Sequence, residues 1–160
     1  MIRALLLLAC TVAFGAVFGA DAGTSRYDLR LAGRGSSASW VVPFNKQYAE
    51  LSPEQRATFK SQYERMDEED EPPFPLAGLR AIYEPIVKAQ SRILIEGDFL
   101  AEVRVNSDGE VTEILVARSP SKAVTDFVSG VVFLTKFKPA LCQGVPCAMG
   151  FPVRVGFKLE

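Results

Sequence analysis

The sequence predicts an α+β fold: a small antiparallel sheet with one packed helix (strand, strand, helix, strand), preceded by a helical N-terminal extension. Three observations carry this. Phe99, Ala101, Val103 and Val105 alternate with Leu100, Glu102, Arg104 and Asn106, and Phe151, Val153, Val155 and Phe157 alternate with Pro152, Arg154, Gly156 and Lys158. A period of two marks a strand with one buried face. Ser107-Asp108-Gly109-Glu110 turns the chain between the first of these runs and a returning strand over Val111–Arg118. Between the returning strand and the last one, Val124, Phe127, Val128 and Val131, with Phe133 or Leu134, recur at helical spacing. One helix laid across a small antiparallel sheet buries all of these faces.

At the N-terminus, Arg3 precedes an apolar run over residues 5–18 that is broken only by small residues and Thr11, and Ala20-Asp21-Ala22 follows. This is the layout of a secretory signal peptide over residues 1–22, with cleavage expected after Ala22 and Ala20 as the second choice. Leu7-Leu8-Ala9-Cys10 resembles a lipoprotein box, although the apolar run continues past Cys10. Residues 2–20 also just reach the ~17–25 residues of a spanning helix, so contact with a membrane is expected only if the segment stays uncleaved. Under each reading the rest of the chain lies outside the cytoplasm.

Residues 23–50, rich in Gly, Ser and Arg at their start, read as a flexible segment. Within it Trp40-Val41-Val42-Pro43-Phe44 is an apolar clip, expected to dock on the domain or on a partner. Residues 51–75 read as a helix plus an acidic, Pro-rich linker. Ser52 is the N-cap, Pro53 the first helical residue, and Gln55 completes a capping box. The helix is expected to reach Met66, with Ala57, Phe59, Tyr63 and Met66 on its apolar side. Asp67-Glu68-Glu69-Asp70-Glu71 lacks the spacing and the turn glycine of a calcium loop, so no metal site is expected and a solvated linker is. The prolines at 72, 73 and 75 hold the following backbone extended.

Residues 76–160 form the expected domain. A second helix is predicted over 79–91, with Pro85 kinking it or marking its true start, then a short strand or helix exit over 93–96. Ser119-Pro120 opens the third helix, and Gly130 within it implies close packing against the sheet. Phe137-Lys138-Pro139-Ala140, the turn Gln143-Gly144-Val145-Pro146 and the strand from Phe151 to Phe157 read as one closing hairpin, with Cys142 and Cys147 flanking its turn.

Composition excludes more than it selects. With 48% hydrophobic residues a core is affordable in a chain of 160, and a net charge of -1 gives no reason to expect nucleic acid. The chain contains no histidine, which removes Ser-His and Cys-His nucleophiles, imidazole metal sites and the ordinary proton shuttle. With Cys10 in the signal, Cys142 and Cys147 remain in an oxidising compartment and are expected to form a structural disulfide. Their C-x₄-C spacing is not the redox motif. Glu102 and Glu113 are the carboxylates that could face each other across the first hairpin, and a solvated pair is the expectation there. No cofactor, catalytic residue or enzymatic activity is predicted.

In order along the chain, Gly97-Asp98, Val103 and Val105, Asp108-Gly109 then Val111, Ser119, Phe127, Phe137-Lys138-Pro139-Ala140, Gly144-x-Pro146 and Pro152-Val153 resemble the C-terminal domain of the TonB energy-transducer family. Pro85 and Ala89 sit where that family has a Tyr-Pro and an Ala; the match covers about residues 83–159. The resemblance implies a periplasmic domain that binds a protein or extended peptide, in that family a segment of an outer-membrane receptor, added to a sheet edge. The implied edge strand is Phe151, Val153, Val155 and Phe157, with Pro85 where the segment first arrives, and a proline at Val155 is expected to block it. Glu84 replaces the tyrosine of Tyr-Pro, and the anchor histidine, the long Pro/Lys spacer and the Trp before Phe-Lys-Pro are missing. The expectation is therefore a TonB-like binding module without the parts for force transduction. An atypical short transducer for outer-membrane transport and an exported cystatin-like inhibitor are the alternatives.

Overall fold

The computed structural model describes residues 42–158 apart from Ser91 and Ile93; the signal-peptide reading and the Trp40-Val41 half of the apolar clip lie outside the described residues. The architecture is α+β. The chain begins with a 3-10 turn at Tyr48–Glu50 and helix α1 at Pro53–Lys60, followed by the two-residue strand β1 (Phe74–Pro75) and helix α2 (Arg80–Gln90). Strands β2 (Gly97–Val105) and β3 (Val111–Arg118) precede helix α3 (Lys122–Phe133). The chain closes with β4 (Phe137–Lys138), β5 (Ala140–Cys142), β6 (Val145–Cys147) and β7 (Met149–Phe157).

The central sheet is three-stranded and antiparallel in the order β3-β2-β7. On one face of β2 and β7, Ala101 opposes Val153, Val103 opposes Phe151 and Val105 opposes Met149. All six are buried, and the helices cover them through Ile82 and Ile86 of α2 and Val124, Val128 and Val132 of α3. The turn joining β2 to β3 is held by Asn106, whose Oδ1 accepts from the Asp108 and Glu110 amides at 3.0 and 2.9 Å. Gly109 takes φ +80° there, and a Cβ on it would meet the Phe137 carbonyl oxygen at 2.1 Å.

Residues 51–75 differ from the linker expected of them. Ser52 and Gln55 do form the capping box, but α1 stops at Lys60 because the chain turns back on itself through Tyr63. That reversal puts Phe59 fully inside, with ring centroids 5.2 Å from Phe74 and 5.9 Å from Phe151. The acidic run stays exposed only to Glu69: Asp70 is buried, and Pro72, Pro73, Phe74 and Pro75 are all buried. Like-charge repulsion is answered locally, since Lys138 pairs with Glu71 at 3.0 Å and the Gln143 amide donates to Asp70 Oδ1 at 2.8 Å. Leu141 and Glu71 also exchange backbone hydrogen bonds of 2.8 Å in each direction. The segment is a strap built into the core. Within the apolar clip, Val42 is buried and Phe44 stacks on Tyr83 at 5.4 Å, so this half docks on its own domain.

Three further expectations change. The cap of α3 is Ser121, whose hydroxyl accepts from Val124 N, and the helix starts at Lys122 rather than at Ser119-Pro120. Gly130 is exposed with nothing within 4 Å of an added Cβ, so it is not a close-packing site. The closing hairpin is two structures: β5 and β6 pair as a separate ribbon carrying the Cys142–Cys147 disulfide, while β7 leaves it to pair with β2.

Candidate partner-binding edge

A three-stranded sheet has two edges, here β7 and β3, and backbone chemistry decides which of them has anything left to offer. Of the residues expected to meet a partner, Phe151, Val153 and Phe157 are buried and Val155 is half-buried; their side chains build the core. Recognition on β7 would then rest on its outward backbone groups, and the positions of these follow from two contacts. The Tyr63 hydroxyl donates to Gly150 O at 2.9 Å, and the Arg154 backbone amide bonds the Tyr83 phenol. Backbone groups alternate sides along a strand, so Gly150, Pro152 and Arg154 turn outward while Phe151, Val153 and Val155 pair with β2. Pro152 has no N–H to give. From Gly150 to Arg154 the outward edge of β7 therefore has its Gly150 carbonyl bonded by Tyr63, lacks an N–H at Pro152 and has its Arg154 amide bonded to Tyr83. Val155 opposes Phe99 with its amide turned into the sheet, so a proline there would break the β2–β7 pairing rather than block an outer edge.

The two tyrosines are built for this. Tyr63 lies in the reversal after α1, and desolvation holds its phenol well above the ordinary range, with Tyr48 and Glu102 adding to the shift. Desolvation likewise pushes Tyr83 up to about 12, opposed by its bond to the Arg154 amide and by the Arg154 charge. Both stay protonated at neutral pH. Gly150 is close-packed on its other side, where a Cβ would meet Glu102 Oε1 at 2.6 Å. Pro85 does not reach the edge: it lies within α2 and lines a shallow apolar groove with Leu76, Ala81, Val131 and Leu134.

The other edge is different in kind. Since odd-numbered β2 residues pair with β7, Leu100, Glu102 and Arg104 turn their backbone groups to β3, where Glu113 and Leu115 receive them. Ile114 and Val116 consequently point their N–H and C=O away from the sheet. Among the described residues, no backbone group from Val111 to Arg118 bonds anything beyond β2 and its own turn. The strand holds neither lysine nor proline, the usual guards of an edge. Leu115 and Val116 are 38% and 37% exposed, on opposite faces of the strand. Two register shifts, between Leu100 and Ala101 and between Arg104 and Val105, confine the regular stretch to residues 113–116.

Glu102 and Glu113 do not face each other. Glu102 opposes Leu115, while Glu113 opposes Arg104 and pairs with it at 3.2 Å. Cys142 and Cys147 are bonded, with Cα atoms 5.9 Å apart, and the Asp70 carboxylate anchors the Gln143 turn between them. No helix among the described residues is long and apolar enough to cross a membrane. The Cys142–Cys147 disulfide is compatible with an exported protein. No cluster of three or more metal-ligating side chains occurs among the described residues.

Sequence reasoning missed Tyr63 and Tyr83 as edge caps, because each is distant in sequence from the strand it covers. The one available signal was Pro152 in an otherwise regular strand, which places that residue's N–H side outward. No protein-family model matches the chain, and no curated protein matches it.

Proposed function

We propose that the protein is an exported, TonB-like protein-binding module that works by β-strand addition, taking an extended segment of a partner protein onto the β3 edge rather than the β7 edge. The carrying observation is the asymmetry of the two edges: on β7 Tyr63 bonds the Gly150 carbonyl, Tyr83 bonds the Arg154 amide and Pro152 has no N–H, whereas Ile114 and Val116 on β3 make no backbone bond beyond the sheet among the described residues. Strand addition draws its affinity from such backbone groups and its selectivity from alternate side chains. An incoming strand would set its residues beside Ile114 and Val116 on one face and beside Glu113 and Leu115 on the other. The periplasm, and a segment of an outer-membrane receptor as partner, are the compartment and partner class the TonB resemblance suggests. The module acts by binding and carries no chemistry of its own.

The test is selection of short peptides from a displayed random library, with amide exchange mapped on each complex. The reading expects slowed exchange at Ile114 and Val116, and loss of binding in Val116→Pro, whose missing N–H faces outward and leaves the sheet paired. Peptides that instead protect Arg154 would move the site to β7. Peptides that protect neither edge would end the strand-addition reading.

A further inference from the structure

We infer that the outer side of α2, beside β7, is a docking face for an anionic lipid surface. This goes beyond the β3 reading and does not rest on it. Arg80, Tyr83, Val87 and Gln90 recur at i, i+3, i+7 and i+10, so they share one side of the helix, while Ile82 and Ile86 go to the core. Phe44 stacks on Tyr83 at 5.4 Å and its carbonyl accepts from the Arg80 amide, which extends this side past the start of α2. At the other end Gln90 Nε2 donates to Lys158 O at 3.3 Å, and the chain leaves the helix through Arg92 and Leu94. Phe44 is 47% exposed, Val87 64% and Leu94 82%. Large apolar side chains left in water along one helix side mark a surface that something covers.

Charge decides what covers it. Lys46, Arg80, Lys88, Arg92 and Lys158 are all exposed along this side, on a chain whose net charge is -1. The carboxylates alongside are Glu84, held by Lys88 at 2.6 Å, and Glu96. Among the described residues Lys46, Arg92 and Lys158 form no ion pair. Lysine is depleted where proteins bind proteins, and here it supplies most of the rim. An apolar stripe rimmed by cations suits the interface of an anionic bilayer: Phe44, Val87 and Leu94 enter the acyl boundary, and the ammonium and guanidinium groups meet lipid phosphates. The route of the chain agrees. Residues 1–41 join the described domain two residues before Phe44, and their apolar run over 5–18 is the membrane-directed part of the sequence. Docking here leaves β3, the opposite edge of the sheet from β7, free to receive a partner.

The test is cosedimentation with vesicles of equal parts phosphatidylcholine and phosphatidylglycerol, against vesicles of phosphatidylcholine alone. The protein is the chain from Gly23, its expected mature form, which lacks the apolar run and keeps every described residue. Binding is expected to the anionic vesicles only, and should fall as salt rises from about 0.1 M to about 1 M. Lys46→Gln and Arg92→Gln should each weaken it about fivefold, the effect of one cation at such a surface. Val87→Glu should weaken it at least as much, and Leu134→Glu, at the more exposed end of α3, should leave it unchanged. A chain that ignores the anionic vesicles overturns the inference. So does binding indifferent to Val87→Glu and Arg92→Gln, or lowered equally by Leu134→Glu. A chain that ignores the vesicles but forms a dimer lost in Val87→Glu assigns the face to a second copy and overturns it as well.

Discussion

Phe59→Ala is the substitution that most directly asks whether residues 51–75 belong to the domain. Phe59 is fully buried and its ring meets three others: Phe74 at 5.2 Å, Phe151 at 5.9 Å and Tyr63 at 6.3 Å. These rings come from the strap, from β7 and from the turn after α1, so the truncation opens a cavity where three parts of the chain meet. Phe→Ala in a core costs about 3–5 kcal/mol. The contact with Phe74 is edge-on, an arrangement adding about 0.5–1.5 kcal/mol beyond area. The upper half of the range, about 4–5 kcal/mol, is therefore expected. Against a total of ~5–15 kcal/mol this is a large fraction of the fold's stability. Urea unfolding with the disulfide kept oxidised is the assay; at an m-value of about 2 kcal/mol per M the midpoint should fall by about 2 M. A loss below about 1 kcal/mol with unchanged m would refute the strap and restore a dispensable linker.

Other outcomes follow from single contacts. Gly130→Ala should raise stability by up to ~1 kcal/mol, since the site is exposed, open and mid-helix; thermal unfolding would show it. Gly109→Ala should cost on the order of 2 kcal/mol or more, because a φ of +80° and the Phe137 carbonyl at 2.1 Å both oppose a Cβ; chemical denaturation measures it. Stability should fall in alkali. Burial raises Tyr63, and raises Tyr48 and Tyr83 to about 12, above the ordinary tyrosine value of about 10. A group raised in the folded state contributes its full stability below its unfolded pKa and loses it as pH rises through the folded one. The decline should thus begin near pH 10 and continue through about 12, and Tyr63→Phe should make the urea midpoint less dependent on pH in that window.

Local pattern made the sheet legible. Alternation at Phe99–Val105 and Phe151–Phe157 gave both long strands, Asp108-Gly109 gave the turn from the first of them into β3, and Ser52-Pro53-x-Gln55 gave a cap that the structure reproduces bond for bond. Pairing distant in sequence was illegible. Nothing near Asp70 announces that it will meet the amide of Gln143, and so a run of five carboxylates looked solvated. The residues expected on one apolar side of the first helix serve different neighbours: Phe59 enters the core while Tyr63 turns to the sheet edge. β7 is an edge strand in the sheet, and what its periodicity could not reveal is that two tyrosines from distant segments bond its Gly150 carbonyl and its Arg154 amide.

The contrast between the two edges is the centre of the account, and residue-resolved amide exchange on the free protein measures it directly. The Ile114 and Val116 amides should exchange close to the rate of an unstructured chain, and the Arg154 amide should be slowed by its bond to Tyr83 until the domain itself opens. Slow exchange at Ile114 and Val116 together with fast exchange at Arg154 would contradict it, and would return the receiving edge to β7.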